Sequence, residues 1–115
     1  MGLSEPVRRA IDELGFTQPT AVQRAAFEPA SAGHDLIVQS RTGTGKTLAF
    51  GLPLVDRLVE EDAGLSALIL APTRELAGQI VDELRDVADA RGLAIAAVYG
   101  GTGIERQRRA AAAAH

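Results

Sequence analysis

The sequence contains no cysteine, which excludes disulfides and thiolate metal sites and suits a reducing cytoplasm. Tryptophan is absent as well, and the aromatic complement is three Phe and one Tyr. A core must therefore come from Leu, Ile, Val and Ala. The only histidines, His34 and His115, are too few to form a histidine-rich metal site. No apolar run reaches the roughly 20 residues needed to cross a bilayer. The opening "MGLSEPVRRA" has no signal-peptide core. A Met-Gly start could invite myristoylation, but Pro6 stands where Ser or Thr is required. The expectation is a soluble, cytoplasmic protein with no membrane partner.

Lysine is nearly absent too. Of the 12 basic residues, Lys46 is the one lysine and the rest are arginines. A net charge of −3 argues against a strongly basic nucleic-acid binder, although Arg106, Arg108 and Arg109 cluster late in the chain. At 115 residues the chain amounts to one domain at most. A chain of this size buries roughly two-thirds of its unfolded surface.

What is present alternates. Ser4 can cap a helix through Leu14, with Pro6 in its first turn and Gly15 ending it. Thr20 can cap a second helix, "AVQRAAFEPA". "DLIVQ" (35–39) reads as a buried strand. A glycine- and threonine-rich loop follows, then a helix over about 46–61 that Pro53 bends or shortens. "SALILAP" (66–72) is a second strand. "TRELAGQIVDELRDVADARG" is a helix with Leu76, Ile80, Leu84 and Val87 on one face. "LAIAAVYGG" (93–101) is a third strand, and an arginine-rich segment after it has helical character. Residues 110–115, "AAAAAH", read as a disordered tail. Strands separated by helices imply crossover connections, a parallel sheet, and ligands at the carboxyl ends of its strands.

The densest chemistry lies in "QSRTGTGKTLAF" (39–50), where Lys46 sits among two glycines and three threonines. A strand, a loop ending in Gly-Lys-Thr and a helix make a phosphate cradle. Gly43 and Gly45 allow positive φ and close approach to an anion. Backbone N–H groups of Thr42, Gly43, Thr44 and Gly45, with the helix N-terminus, face the phosphates. Lys46 reaches the β and γ phosphates, and the Thr47 hydroxyl can ligate Mg²⁺. The general pattern asks for Gly at position 40, where this chain has Ser40. An ordinary flexible turn would also be glycine-rich, but it would not call for the flanking strand and helix.

Four motifs occur in order: "GFTQPTAVQ" (15–23), "TGTGKT" (42–47), "APTRELAGQ" (71–79) and "YGGT" (99–102). In this order and spacing they resemble the DEAD-box ATP-dependent RNA helicases, from about Leu3 to Arg109. The resemblance implies an α/β fold, a partial RecA-like P-loop domain with about three parallel strands flanked by helices. It divides the chain into a Q-motif helical region (1–30) and a region of P-loop and motif Ia (35–109), the first half of the first of two RecA-like domains. It implies ATP and Mg²⁺ as cofactors, ATP or ADP and RNA as partners, and ATP-driven RNA unwinding as the parent activity.

Residue by residue, the resemblance gives Gln23 and Gln18 to adenine, and Lys46 and Thr47 to the phosphates, with Thr47 on the metal. It lays Pro72, Thr73, Arg74 and Glu75, with Gly100 and Gly101, along the RNA backbone. Read without the family, Gln23 is a solvated helix residue, although its amide could pair with the N6 and N7 edge of adenine. Gln18 is then a loop residue, Arg74 and Glu75 a surface pair of little energetic consequence, and the two glycines a strand end. Phe16 packs at a helix junction, the three late arginines form a solvated face, and His34 has no metal role.

The family's Asp-Glu-Ala-Asp motif is missing. The only Asp-Glu pairs, Asp12–Glu13 and Asp82–Glu83, lie in amphipathic helices. The arginine finger and the aromatic residue upstream of Gly15 are also missing. The stretch by itself is thus expected to bind nucleotide without hydrolysing it. The alternatives are a non-catalytic phosphate-binding module, another P-loop NTPase, or a fragment that self-associates through an exposed sheet edge.

Overall fold

The structure, a computed structural model, describes residues 2–41, 45–58, 66–100 and 104–115, with backbone alone at 104–106. Two compact units divide the chain, Met1–Arg57 and Leu58–His115.

The first unit contains α1 (Glu5–Glu13), α2 (Ala21–Ser31) and α3 (Lys46–Arg57). Pro6 pre-sets the first turn of α1, and Glu5 complements the positive end of the helix. Ser4 occupies the cap position, but its hydroxyl makes no cap bond and is buried without a partner. Its backbone N–H instead donates to Asp56 Oδ1 at 3.0 Å. Gly15, at φ 86°, turns the chain away after α1. Thr20 starts α2 with a complete capping box. Pro29 lies in the last turn of that helix, where few backbone bonds remain to be lost.

Helix α3 passes through Pro53 and ends at Arg57; the remainder of its expected span reaches into residues outside those described. Its buried Leu48, Ala49, Leu52 and Val55 recur at helical spacing. They give α3 one apolar face, and α3 packs on α2, which buries Ala26 and Phe27. Arg57 Nη1 donates to the Ala30 carbonyl at 3.3 Å, a second donor to an acceptor that already takes the Gly33 N–H at 3.0 Å at the end of α2. Truncating Leu52, 3% exposed, would cost about 2–5 kcal/mol.

The second unit contains α4 (Arg74–Ala90) and α5 (Ile104–Ala113). The Thr73 hydroxyl caps α4 by accepting from the Leu76 N–H at 3.1 Å. Ile80, Leu84 and Val87 are buried as their spacing predicts, joined by Val81 and Ala88, whereas Leu76 stays exposed at the edge. Gly92, at φ 69°, folds the chain back so that the buried Leu93 donates to the Ala88 carbonyl.

The tail departs from expectation. Alanine is the best helix former, and α5 continues through Ala113. His115 then bonds back to the unit. Its N–H donates to the Ala94 carbonyl at 2.8 Å, and its Nδ1 accepts from the Ala94 N–H at 2.9 Å. Its carbonyl accepts from the N–H groups of Ser66 and Ala67 at 2.6 and 2.9 Å.

The expected α/β architecture is not observed. Among the described residues every regular element is a helix, and 35–39, 66–72 and 93–99 form no ladder. A parallel strand is stable when its edges are paired and both faces covered. Here Ile37 is fully exposed, and Leu68, Leu70 and Val98 are largely so. The backbone groups of Ser66, Ala67 and Ala94 are bonded to His115 instead of to a neighbouring strand. With no sheet there is no sheet edge, so self-association by that route loses its basis.

Candidate functional site

In the first unit the expected nucleotide residues come from the loop before α2, the first turn of α2 and the start of α3. Gln23 is buried and uses both ends of its amide. Oε1 accepts from the Thr20 N–H at 3.0 Å, and Nε2 donates to the Gly45 carbonyl at 3.3 Å. The Thr20 hydroxyl returns the first bond by accepting from the Gln23 N–H at 3.3 Å. Each end of a primary amide has one further bonding position, so holding the loop and reading an adenine edge are compatible demands on Gln23.

Gly45 is required for two reasons. Its φ is 84°, a conformation costing an L-residue about 1–2 kcal/mol. A Cβ built there would lie 2.5 Å from Gln23 Nε2. The Gly45 carbonyl also accepts from the Ala49 N–H at 3.1 Å, opening the bond ladder of α3. Gln23 therefore grips the point at which the loop becomes a helix.

Lys46 is exposed, and its Nζ donates to the Ser40 carbonyl at 2.8 Å, across the mouth of the loop. Thr47 follows, half-buried in the first turn. That turn has no acidic side chain, and its first N–H groups lack intrahelical acceptors. An ammonium group, orphan N–H donors and a first turn without acidic side chains suit a polyphosphate. Thr47 offers a metal one hydroxyl ligand. Among the described residues no group of three or more His, Cys, Asp or Glu could hold a metal alone. Gln18 and Phe16 are exposed in the loop before α2, so Phe16 does not pack at a helix junction as expected. Thr42, Gly43 and Thr44 lie outside the described residues.

In the second unit, Pro72, Thr73, Arg74 and Glu75 are all exposed around the N-terminus of α4. Arg74 Nη1 donates to the Gly100 carbonyl at 3.3 Å, so two motifs 26 residues apart meet through a side chain. Gly101 is outside the described residues. Arg108 and Arg109 are exposed, as is His34 in the first unit.

Sequence reasoning missed Gln107. Its Oε1 accepts from the Tyr99 N–H at 3.0 Å, and its Nε2 donates to the Tyr99 carbonyl at 2.7 Å. Gln107 and Tyr99 border a cleft of about 390 Å³ with Val98, Gly100, Arg108 and Ala111. No periodicity marks Gln107 beforehand; its position after a glycine doublet and before an arginine pair was the only cue.

Residues 20–115 match the family model of the DEAD/DEAH box helicase. The chain belongs to that family. It is 48% identical over 109 residues to the RNA helicase CrhR of Synechocystis sp., covering 95% of this chain and 22% of that protein. A crystal structure of a DEAD box protein from the hyperthermophile Methanococcus jannaschii is 39% identical, with a TM-score of 0.91, over 99% of this chain and 31% of that one. The RNA helicase Prp28 from Chaetomium thermophilum, solved bound to ADP, is 40% identical with a TM-score of 0.86, over 98% and 29%. The chain thus spans a third or less of these relatives. As a DEAD/DEAH box helicase it has all four motifs quoted above, and the family match begins at Thr20, the first residue of the capping box. Among the described residues no helix is long and apolar enough to cross a membrane.

Proposed function

We propose that this chain is the ATP-binding part of an ATP-dependent RNA helicase, with the first stretch of that enzyme's RNA-contacting surface in its second unit. The observation that carries the reading is the linkage of Gln23, Gly45 and Lys46 at the start of α3. Lys46 balances the β and γ phosphates, and backbone N–H groups from Thr42 to Thr47 cradle them. The Thr47 hydroxyl is one ligand of Mg²⁺. Gln23 holds the loop and, with Gln18, faces adenine. Bound MgATP supplies the phosphoanhydride whose hydrolysis drives strand separation in the whole enzyme. Pro72, Thr73, Arg74, Glu75, Gly100 and Gly101 contact RNA phosphates and sugars, a sequence-independent mode of binding. CrhR being an RNA helicase supports RNA as the polymer, and Prp28 bound to ADP supports an adenine nucleotide.

These 115 residues by themselves bind nucleotide and do not turn it over. Phosphoryl transfer is mostly positioning and charge stabilisation. The sequence has no Asp-Glu-Ala-Asp carboxylates to hold the far side of Mg²⁺ and position water. The second reading, a phosphate-binding module with no catalysis, describes the isolated chain equally well.

Calorimetric titration with MgATP, together with a phosphate-release assay, tests the proposal. Binding should be measurable, and Lys46→Ala should weaken it by about 1.5–3 kcal/mol, the loss of a charge-assisted bond. Phosphate release should stay at background with or without RNA. Equal affinity in Lys46→Ala would refute the assignment of the cradle, and turnover dependent on Lys46 would refute its inactivity.

A further inference from the structure

The bidentate grip of Gln107 on Tyr99 has no counterpart in the assignments above. A primary amide is the side-chain group that donates and accepts in one plane, as a peptide does. By bonding both the N–H and the C=O of Tyr99, Gln107 takes the place of a backbone partner for a segment that lacks one. The next residue is Gly100, whose carbonyl receives Arg74 Nη1 at 3.3 Å. Residues 99 and 100 are therefore held by two side chains, one from α5 and one from the start of α4. An arginine offers five N–H donors. With one spent on a fixed carbonyl, the guanidinium has a defined orientation, and its remaining donors can meet a phosphate.

We infer that Gln107 is a positioning residue for nucleic-acid binding: by fixing the Tyr99–Gly100 backbone it fixes the carbonyl that orients Arg74 toward an RNA phosphate. The inference rests on the proposed RNA-contacting role of the second unit. It also explains why a half-buried glutamine should spend both ends of its amide on one residue. Water could satisfy those backbone groups, but water would not hold them in one place.

Fluorescence anisotropy of the full chain with a labelled single-stranded RNA, paired with amide hydrogen exchange, tests it. Gln107→Ala should weaken RNA binding about fivefold, the order of one hydrogen bond lost from an organised site, and should leave MgATP affinity unchanged. Gln107→Glu keeps the size and the acceptor but cannot donate to the Tyr99 carbonyl, so it should weaken binding comparably. The Tyr99 amide should exchange faster in Gln107→Ala. Arg74→Ala should weaken RNA binding further, and adding Gln107→Ala to it should cost nothing more, because the two residues act in series. RNA affinity unchanged in Gln107→Ala, or additive losses in the double variant, would overturn the positioning role. A parent chain that binds MgATP but no RNA would overturn the RNA reading beneath it, and the role with it.

Discussion

Gln23 and Gln107 perform the same local chemistry in two different settings. Each accepts from a backbone N–H and donates to a backbone carbonyl. Gln23 is buried, and its two bonds join the entry of α2 to the entry of α3, where Lys46 and Thr47 are the proposed nucleotide residues. The bonds of Gln107 are exposed and close on a single residue. Burial makes a lost partner expensive, because no water replaces it; exposure makes the same loss cheap. The first unit thus ties its site into its core, whereas the second holds its candidate surface by contacts that order the backbone and add little to stability.

Gly45→Ala should break the first unit most severely. The substitution puts a Cβ at positive φ and against Gln23 Nε2. Backbone strain and a disturbed cap together should cost about 2–3 kcal/mol. Hydrogen exchange should accelerate in α2 and α3 while α4 keeps its protection. Acceleration spread equally over α4 would show that the two units do not respond separately.

Gln23→Ala comes next. It removes one half of the capping box and leaves the Gly45 carbonyl without its second donor, for about 1–2 kcal/mol in urea denaturation. If Gln23 also reads the base, the parent chain should prefer ATP to GTP, and the variant should lose that preference. Equal affinities in the parent would confine Gln23 to the structural duty.

The smallest effect sharpens the contrast. Gln107→Ala should change stability by no more than about 0.5 kcal/mol, because the two bonds it loses are open to solvent. A loss matching that of Gln23→Ala would mean that burial is not what separates the two glutamines.

Much of the local structure was legible in the chain. The Thr20 cap of α2, Pro6 in the first turn of α1, and Gly15 at positive φ after it all act between near neighbours in sequence. The buried face of α4 followed its spacing for the same reason. The candidate nucleotide residues were named as a contiguous run, of which Thr42, Gly43 and Thr44 lie outside the described residues. The resemblance gave Arg74 and Gly100 a shared RNA-contacting role but not the bond between them, and Gln107 was not signalled at all.

The sequence by itself determined where α1, α2 and α4 begin and end, because caps, proline, glycine and helical periodicity act over one or two turns. Through four ordered motifs it also determined the family. Tertiary structure alone decided which apolar runs find partners. "DLIVQ", "SALILAP" and "LAIAAV" read as strands, yet pairing depends on residues far away in the chain, and Ile37, Leu68, Leu70 and Val98 remain largely in solvent while Leu93 is buried. It decided that the Ser4 backbone bonds Asp56 while the Ser4 hydroxyl bonds nothing. It decided that His115, the last residue of an alanine tail, satisfies Ser66, Ala67 and Ala94. A helix satisfies its own backbone within four residues, whereas an extended segment must be given its partners by the rest of the fold.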